Sequence, residues 1–194
     1  MIAAIVLAAG MSRRMGRPKL TLPWGKKTVI EQVVVTLQHA GIEEIVVVIG
    51  GNHAQVADCL QEADVRIVLN PDYARTDMLE SFQAGLRSLG AAVPAALVCL
   101  GDQPQIEAMV VSRLMDEYNA TRAGIIIPSY NNHRGHPWIL DRQYWPEVLA
   151  LPEGATLRLF LENHREAIDY VLVNSPSVLQ DLDTPDDYAA SKPD

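Results

Sequence analysis

At 194 residues with 48% apolar side chains, the chain can bury one hydrophobic core without disulfide or metal staples. A formal net charge of -8 argues against a nucleic-acid-binding surface and against an anionic membrane partner. Cys59 and Cys99 each sit in an apolar run, which points to reduced core thiols in the cytoplasm rather than a disulfide or metal site.

The opening MIAAIVLAAG is too short to span a bilayer and has no basic flank, so it predicts a buried first strand. IAAIVLA (2–8), EIVVVIG (44–50), VRIVLN (65–70), AALVCLG (95–101) and GIIIPS (124–129) are continuous apolar runs, the pattern of strands buried on both faces. Helix-period segments separate them: TVIEQVVVTLQHAG, AQVADCLQEA, DMLESFQAGLRSLG and AMVVSRLMDEYNA, with Gly41 and Gly90 as stop signals. This alternation predicts a single-domain α/β fold around a mostly parallel sheet. After Pro128, NNHRGHPW reads as a loop, DRQYWPEVLAL and LPEGATLRLFLENH as short helices, and IDYVLV as a reversed or peripheral strand. TPDDY opens a last helix, with Thr184 as N-cap and Pro185 at the first helical position. The domain is expected to cover residues 1–190, with 191–194 frayed.

Ligands of such sheets bind beyond the carboxyl ends of the strands. That rim would carry AAGMSRRMGRPK, NPDYARTDM, GDQPQI and NNHRGHP. The first of these is the most unusual. Arg13, Arg14, Arg17 and Lys19 supply four of the 16 cationic side chains of an acidic protein, flanked by Gly10 and Gly16. A charge run alone would read as a solvated basic loop. The stretch fits neither G-x-x-x-x-G-K-[ST] nor G-x-G-x-x-G, so neither a P-loop NTPase nor a Rossmann oxidoreductase is supported. Its chemistry nonetheless suits a triphosphate. The glycines let backbone N–H groups approach, Arg14 offers a fork for phosphate oxygens, Lys19 a point charge and Ser12 a hydroxyl. The base would then lie over Ala8, Ala9 and Gly10.

The pattern L-A-A-G-x-S-x-R-M-G-x-P-K resembles the signature of molybdenum cofactor nucleotidyltransferases, the group of the cytidylyl and guanylyl enzymes. The likeness continues through LPWGKKTVIEQVV, NPDYA…QAGL, LGDQP, the GHP loop and DLDTPDDY. It implies a three-layer, Rossmann-like nucleotidyltransferase fold and transfer of a nucleoside monophosphate to a phosphorylated acceptor. Arg14, Lys19 and Asp102 would be catalytic. Leu7, Ala8, Ala9, Gly10, Ser12, Arg14, Gly16, Lys19, Asn70 and Ser81 would hold the nucleotide, and Gly135, His136 and Pro137 would shape the acceptor side. LAAG resembles the cytidylyl members and LAGG the guanylyl one, which makes CTP the expected nucleotide. Molybdopterin is the expected acceptor. A sugar or polyol phosphate is the alternative within enzymes, and a non-catalytic cofactor carrier the alternative outside them. Glu80 departs from the small hydroxyl residues common in relatives. The remaining expectations are a monomer that contacts a molybdoenzyme transiently, with no nucleic acid and no membrane.

Phosphates gathered by cations call for Mg2+, which takes one or two carboxylates and substrate phosphates. Asp102 lies just beyond a buried strand and suits this role, though GDQP could instead begin a helix over 106–118. Asp186 and Asp187 are explained by the helix start at Thr184, leaving Asp181 and Asp183. The resemblance implies Asp183 as second metal ligand, with Asp181 the other candidate. His133 and His136 have no third ligand nearby, and His39, His53 and His164 read as surface or cap residues. Trp24, Trp138 and Trp145 read as core or lid packing, with Trp138 the candidate for stacking on a ligand.

Overall fold

The computed structural model describes residues 1–12, 14–74 and 78–193. Arg13 and the helix start expected at Asp77 lie outside them. Along the chain the strands are β1 (Ala3–Ala8), β2 (Pro23–Trp24), β3 (Lys27–Thr28), β4 (Ile45–Ile49), β5 (Arg66–Leu69), β6 (Ala95–Leu100), β7 (Ile125–Tyr130), β8 (His133–Arg134), β9 (Trp138–Asp141) and β10 (Ile168–Leu172). The helices are α1 (Val29–His39), α2 (His53–Cys59), α3 (Met78–Ser88), α4 (Ala108–Thr121), α5 (Trp145–Ala150), α6 (Leu157–Asn163) and α7 (Pro185–Ser191).

The main sheet runs β10-β7-β9-β6-β1-β4-β5, with β8 added to β7. β1 pairs in parallel with both β4 and β6, β4 with β5, and β7 with β10. Side chains of β1 and β4 alternate between two cores. Ala4, Val6, Val47 and Ile49 pack with α1, α2 and α4, whereas Ala3, Ile5, Val46 and Val48 pack with α3, α5 and α6. Helices on both faces explain the unbroken apolar runs and give the expected three layers. α3 lies close on β1 at Gly85, where an added Cβ would stand 2.5 Å from Ile5 Cγ2.

Helix boundaries follow local chemistry. Thr28 and Glu31 form a reciprocal capping box at α1, and Thr184 and Asp187 form one at α7, where Pro185 takes the first turn. Gly41 ends α1 at φ +86°, but Gly90 stays outside the left-handed region. α4 starts at Ala108 with Glu107 as N-cap, so Asp102 is not its cap. α7 remains helical to Ser191, and Lys192 N donates to Tyr188 O.

Two expectations are corrected and a third is narrowed. NNHRGHPW is no plain loop: Asn131 and Asn132 both take positive φ (48° and 65°), turning β7 back into β8 and on to β9. The reversed strand is β9, antiparallel between β6 and β7, whereas β10 is peripheral but parallel. β5 is an edge strand rather than a strand buried on both faces, leaving Ile67 and Leu69 exposed. Among the described residues no helix is long and apolar enough to cross a membrane.

Candidate active site

The chain leaves β1 for β4 and β5 on one side and then returns to β6 on the other, so the sheet order reverses at β1. A crevice opens where such a reversal occurs. Here the loop after β1 and the loop after β6 diverge, tied at their base by Gly101 N donating to Leu7 O at 3.0 Å. Gly51 N, after β4, donates to Ala9 O at 3.2 Å and anchors the other flank. Above them lies a cleft of about 830 Å³, within the usual range of small-molecule sites.

The loop after β1 wraps around Ser12, which takes φ +50°. Its carbonyl accepts from Met15 N and Gly16 N, and its hydroxyl accepts from Lys19 N at 3.2 Å. Gly16 takes φ +70°, a turn that favours glycine. Gly10 has nothing within 4 Å of where a Cβ would stand, so its face is open to the cleft. The loop thereby carries Lys19 inward, with its side chain 14% exposed, and leaves Arg14 outward at 71%.

Lys19 Nζ bonds to Asp102 Oδ2 and lies 3.5 Å from Asp183 Oδ1, which also receives Arg14 Nη2 at 2.9 Å. The carboxylates arrive from distant segments, joined by Leu182 N donating to Asp102 O at 3.2 Å. Asp181, two residues earlier, accepts from Gln103 Nε2 at 2.6 Å. Burial, then the Asp102 carboxylate, holds the Asp181 carboxyl above the usual range. Of the two candidates, Asp183 is the one that shares a cation with Asp102.

Leu7, Ala8, Ala9, Gly10, Ser12, Arg14, Lys19, Ser81, Asp102, Asp181 and Asp183 all line the cleft. Gly16, Asn70, Gly135, His136 and Pro137 are not part of its lining. Buried Asn70 donates Nδ2 to Ser81 Oγ at 3.0 Å. Gly135 and His136 pack beneath Val178, with His136 N donating to its carbonyl. Trp138 is core, edge-on to Phe82 at 5.8 Å, and unavailable for stacking. Exposed Arg17 is not simply solvated: its guanidinium lies over the Tyr188 ring at 5.6 Å.

Residues 4–168 match the MobA-like NTP transferase domain. The chain belongs to that family. It is 31% identical to nicotine blue oxidoreductase of Paenarthrobacter nicotinovorans, over 94% of this chain and 92% of the relative. It is 29% identical to the molybdenum cofactor cytidylyltransferase of Escherichia coli K12, over 98% and 95%. Among solved structures, Rv0371c of Mycobacterium tuberculosis H37Rv superposes with a TM-score of 0.85 at 26% identity, covering 97% of this chain and 96% of that one. Rv0371c has also been solved in complex with manganese.

Within this MobA-like domain, the rim segment NPDYARTDM supplies Tyr73, Ala74 and Met78 to the cleft wall, and the start of α6 at Thr156 and Arg158, which no sequence signal placed on the rim, completes it. One glycine fixes part of this wall through a tertiary contact. Gly50 is needed because a Cβ there would stand 2.5 Å from Tyr73 Cβ and 2.9 Å from Ala9 Cβ. The glycine pair after β4 therefore marks where Tyr73 is seated.

Half-buried His136 also has a measurable consequence. Burial lowers its imidazole to about 4, with the Asp102 carboxylate pulling the other way. An unfolded imidazole titrates near 6.5, so between these values the folded chain binds fewer protons. The stabilisation is complete above the unfolded value and declines as pH falls towards the folded one. Urea unfolding from about pH 7 to about pH 5 should cost the wild type on the order of 1 kcal/mol more than His136→Asn. Parallel profiles for the two proteins would contradict the neutral buried imidazole.

Proposed function

We propose that this MobA-like nucleotidyltransferase moves CMP from CTP to a phosphorylated acceptor, molybdopterin, and releases pyrophosphate. The observation that carries this reading is the meeting of Arg14 and Lys19 with Asp102 and Asp183 at the mouth of the glycine loop. The 29%-identical cytidylyltransferase supports the choice of substrates.

The donor set fits a hard divalent cation, for which we propose Mg2+. Asp102 and Asp183 present carboxylate oxygens to a shared point, and the described residues contain no cluster of three or more acidic, histidine or cysteine ligands. The remaining positions would fall to water and phosphate oxygens, as Mg2+ prefers. Bound there, such a cation supplies neutralisation of the charge that builds on the phosphates during transfer.

The chain's own groups do the rest. Loop amides around Gly10 and Ser12, with Arg14 and Lys19, would grip the triphosphate and set the α-phosphorus in line with the acceptor. An acceptor phosphate oxygen forms the new bond to the α-phosphorus while the bond to pyrophosphate breaks. A phosphomonoester is nucleophilic near neutral pH, so no strong general base is needed. Asn70 would orient Ser81 towards the nucleotide. The loop at Gly135, His136 and Pro137 would back the acceptor side next to Asp102.

Base choice is assigned to Ala9. Its side chain is 8% exposed, and its methyl packs towards Gly50, narrowing the floor where a base would lie. Pyrophosphate release should be measured with CTP, GTP, ATP and UTP against molybdopterin and sugar phosphates. CTP with molybdopterin should be the most active pair, and Ala9→Gly should narrow the CTP-to-GTP ratio about tenfold. An unchanged ratio would remove Ala9 from base selection.

A second reading draws on the oxidoreductase relative at 31% identity: a redox reaction using a dinucleotide in the same cleft. The chain lacks G-x-G-x-x-G, and its clustered carboxylates and cations suit phosphoryl chemistry better. Hydride transfer from a reduced nicotinamide dinucleotide to an added quinone-type dye, with the dinucleotide oxidised and the dye reduced and no pyrophosphate released from any nucleotide, would reverse the preference.

A further inference from the structure

Lys19 holds a second position besides that of a phosphate ligand. Its ammonium bonds to Asp102 Oδ2 and reaches Asp183 Oδ1, the same two carboxylates that suit a metal ion. Lys19 and Asp102 are only 14% and 19% exposed, so solvent screens this pair weakly. Arg14 completes the balance by pairing with Asp183 Oδ1. Two carboxylates thus face two cations before any ligand arrives. The arrangement is held from outside the pair as well, by Ser12 Oγ on Lys19 N and by Leu182 N on Asp102 O.

A divalent cation entering alone would meet an ammonium already within hydrogen-bond reach of both its carboxylates. It would have to displace that ammonium from both carboxylates without bringing it a new partner. A polyphosphate arriving with the cation changes this, because its oxygens give Lys19 and Arg14 new partners as the carboxylates are released.

We propose that Lys19 keeps Asp102 and Asp183 closed to free divalent cations, so that the site takes a metal ion only together with a polyphosphate. The identity of that polyphosphate as a nucleotide rests on the proposed nucleotidyl transfer; the closure by Lys19 does not. Metal and polyphosphate then bind with positive coupling that is carried by one side chain.

The test is a Mn2+ titration of the full chain followed by electron paramagnetic resonance. It is run with and without tripolyphosphate and corrected for Mn2+ held by tripolyphosphate in solution. Tripolyphosphate should tighten Mn2+ binding to the wild type at least about tenfold. Lys19→Met without tripolyphosphate should bind Mn2+ at least about tenfold more tightly than the wild type, and adding Asp102→Asn should abolish the gain. Wild type that binds Mn2+ equally well with and without tripolyphosphate overturns the proposal, even where Lys19→Met fails to fold. So does a folded Lys19→Met with wild-type affinity. Tripolyphosphate coupling in a chain that releases no pyrophosphate from any nucleotide would uphold the closure and sink the nucleotidyl transfer.

Discussion

Asp102→Ala is expected to lower pyrophosphate release from CTP about a thousandfold, with little change in the unfolding midpoint. The carboxylate stands two residues beyond β6, between the hydrogen-bonded sheet and the open cleft. Gly101 N on Leu7 O and Leu182 N on Asp102 O hold its backbone on both sides. These bonds use main-chain atoms, so truncating the side chain leaves the loop in place. Lys19 keeps Asp183 as a partner, which limits the cost to folding. What disappears is one of the two carboxylates proposed to hold the metal ion. Asp102→Asn separates charge from shape: it preserves size and should fall nearly as far. Steady-state rates and a urea midpoint on the same preparations check both statements. Activity within about tenfold of wild type would remove Asp102 from the chemistry.

Gly135→Ala should destabilise the fold by about 3 kcal/mol, read as a lower urea midpoint at unchanged slope. A Cβ at this position would stand 2.4 Å from Val178 O and 2.7 Å from Val178 Cβ. The carbonyl cannot swing aside, because it accepts from His136 N at 2.9 Å, and Gly135 N is itself held by Pro128 O at 2.9 Å. The contact is therefore relieved only by moving the segment that leads into Asp181 and Asp183. Gly10→Ala is the matching control. Nothing lies within 4 Å of its Cβ position, so its cost should stay within about 0.5 kcal/mol. Equal costs at the two glycines would contradict the packing described for Gly135.

Much of this protein was legible in the sequence because the signals were local. Parallel strands covered on both faces must be apolar throughout, and β1, β4, β6 and β7 announced themselves that way. The caps at Thr28 and Thr184 need only residues three positions apart. The glycine loop could be recognised because close backbone approach and concentrated charge come from neighbouring residues. β9 was hidden because four residues, WILD, carry no period long enough to separate strand from helix. Its reversed direction depends on Asn131 and Asn132 adopting left-handed backbone, a choice that pairing with β7 completes.

The acidic residues show where the sequence stopped. Asp181 and Asp183 are equivalent in composition, and both lie before the Thr184 cap. Buried Leu182, whose backbone N–H is tied to Asp102, lies between them, and they part ways there: one towards Gln103, the other towards Lys19. The seating of Tyr73 over Gly50 is of the same kind, since it joins loops after two different strands. The sequence by itself determined the layers, the rim and the phosphate-type loop, because periodicity, capping and glycine placement act within a few residues. Only the tertiary structure decided which carboxylate shares Lys19, which wall closes the cleft and which strand runs backwards. Each of those depends on groups that meet only after segments far apart in the chain have packed.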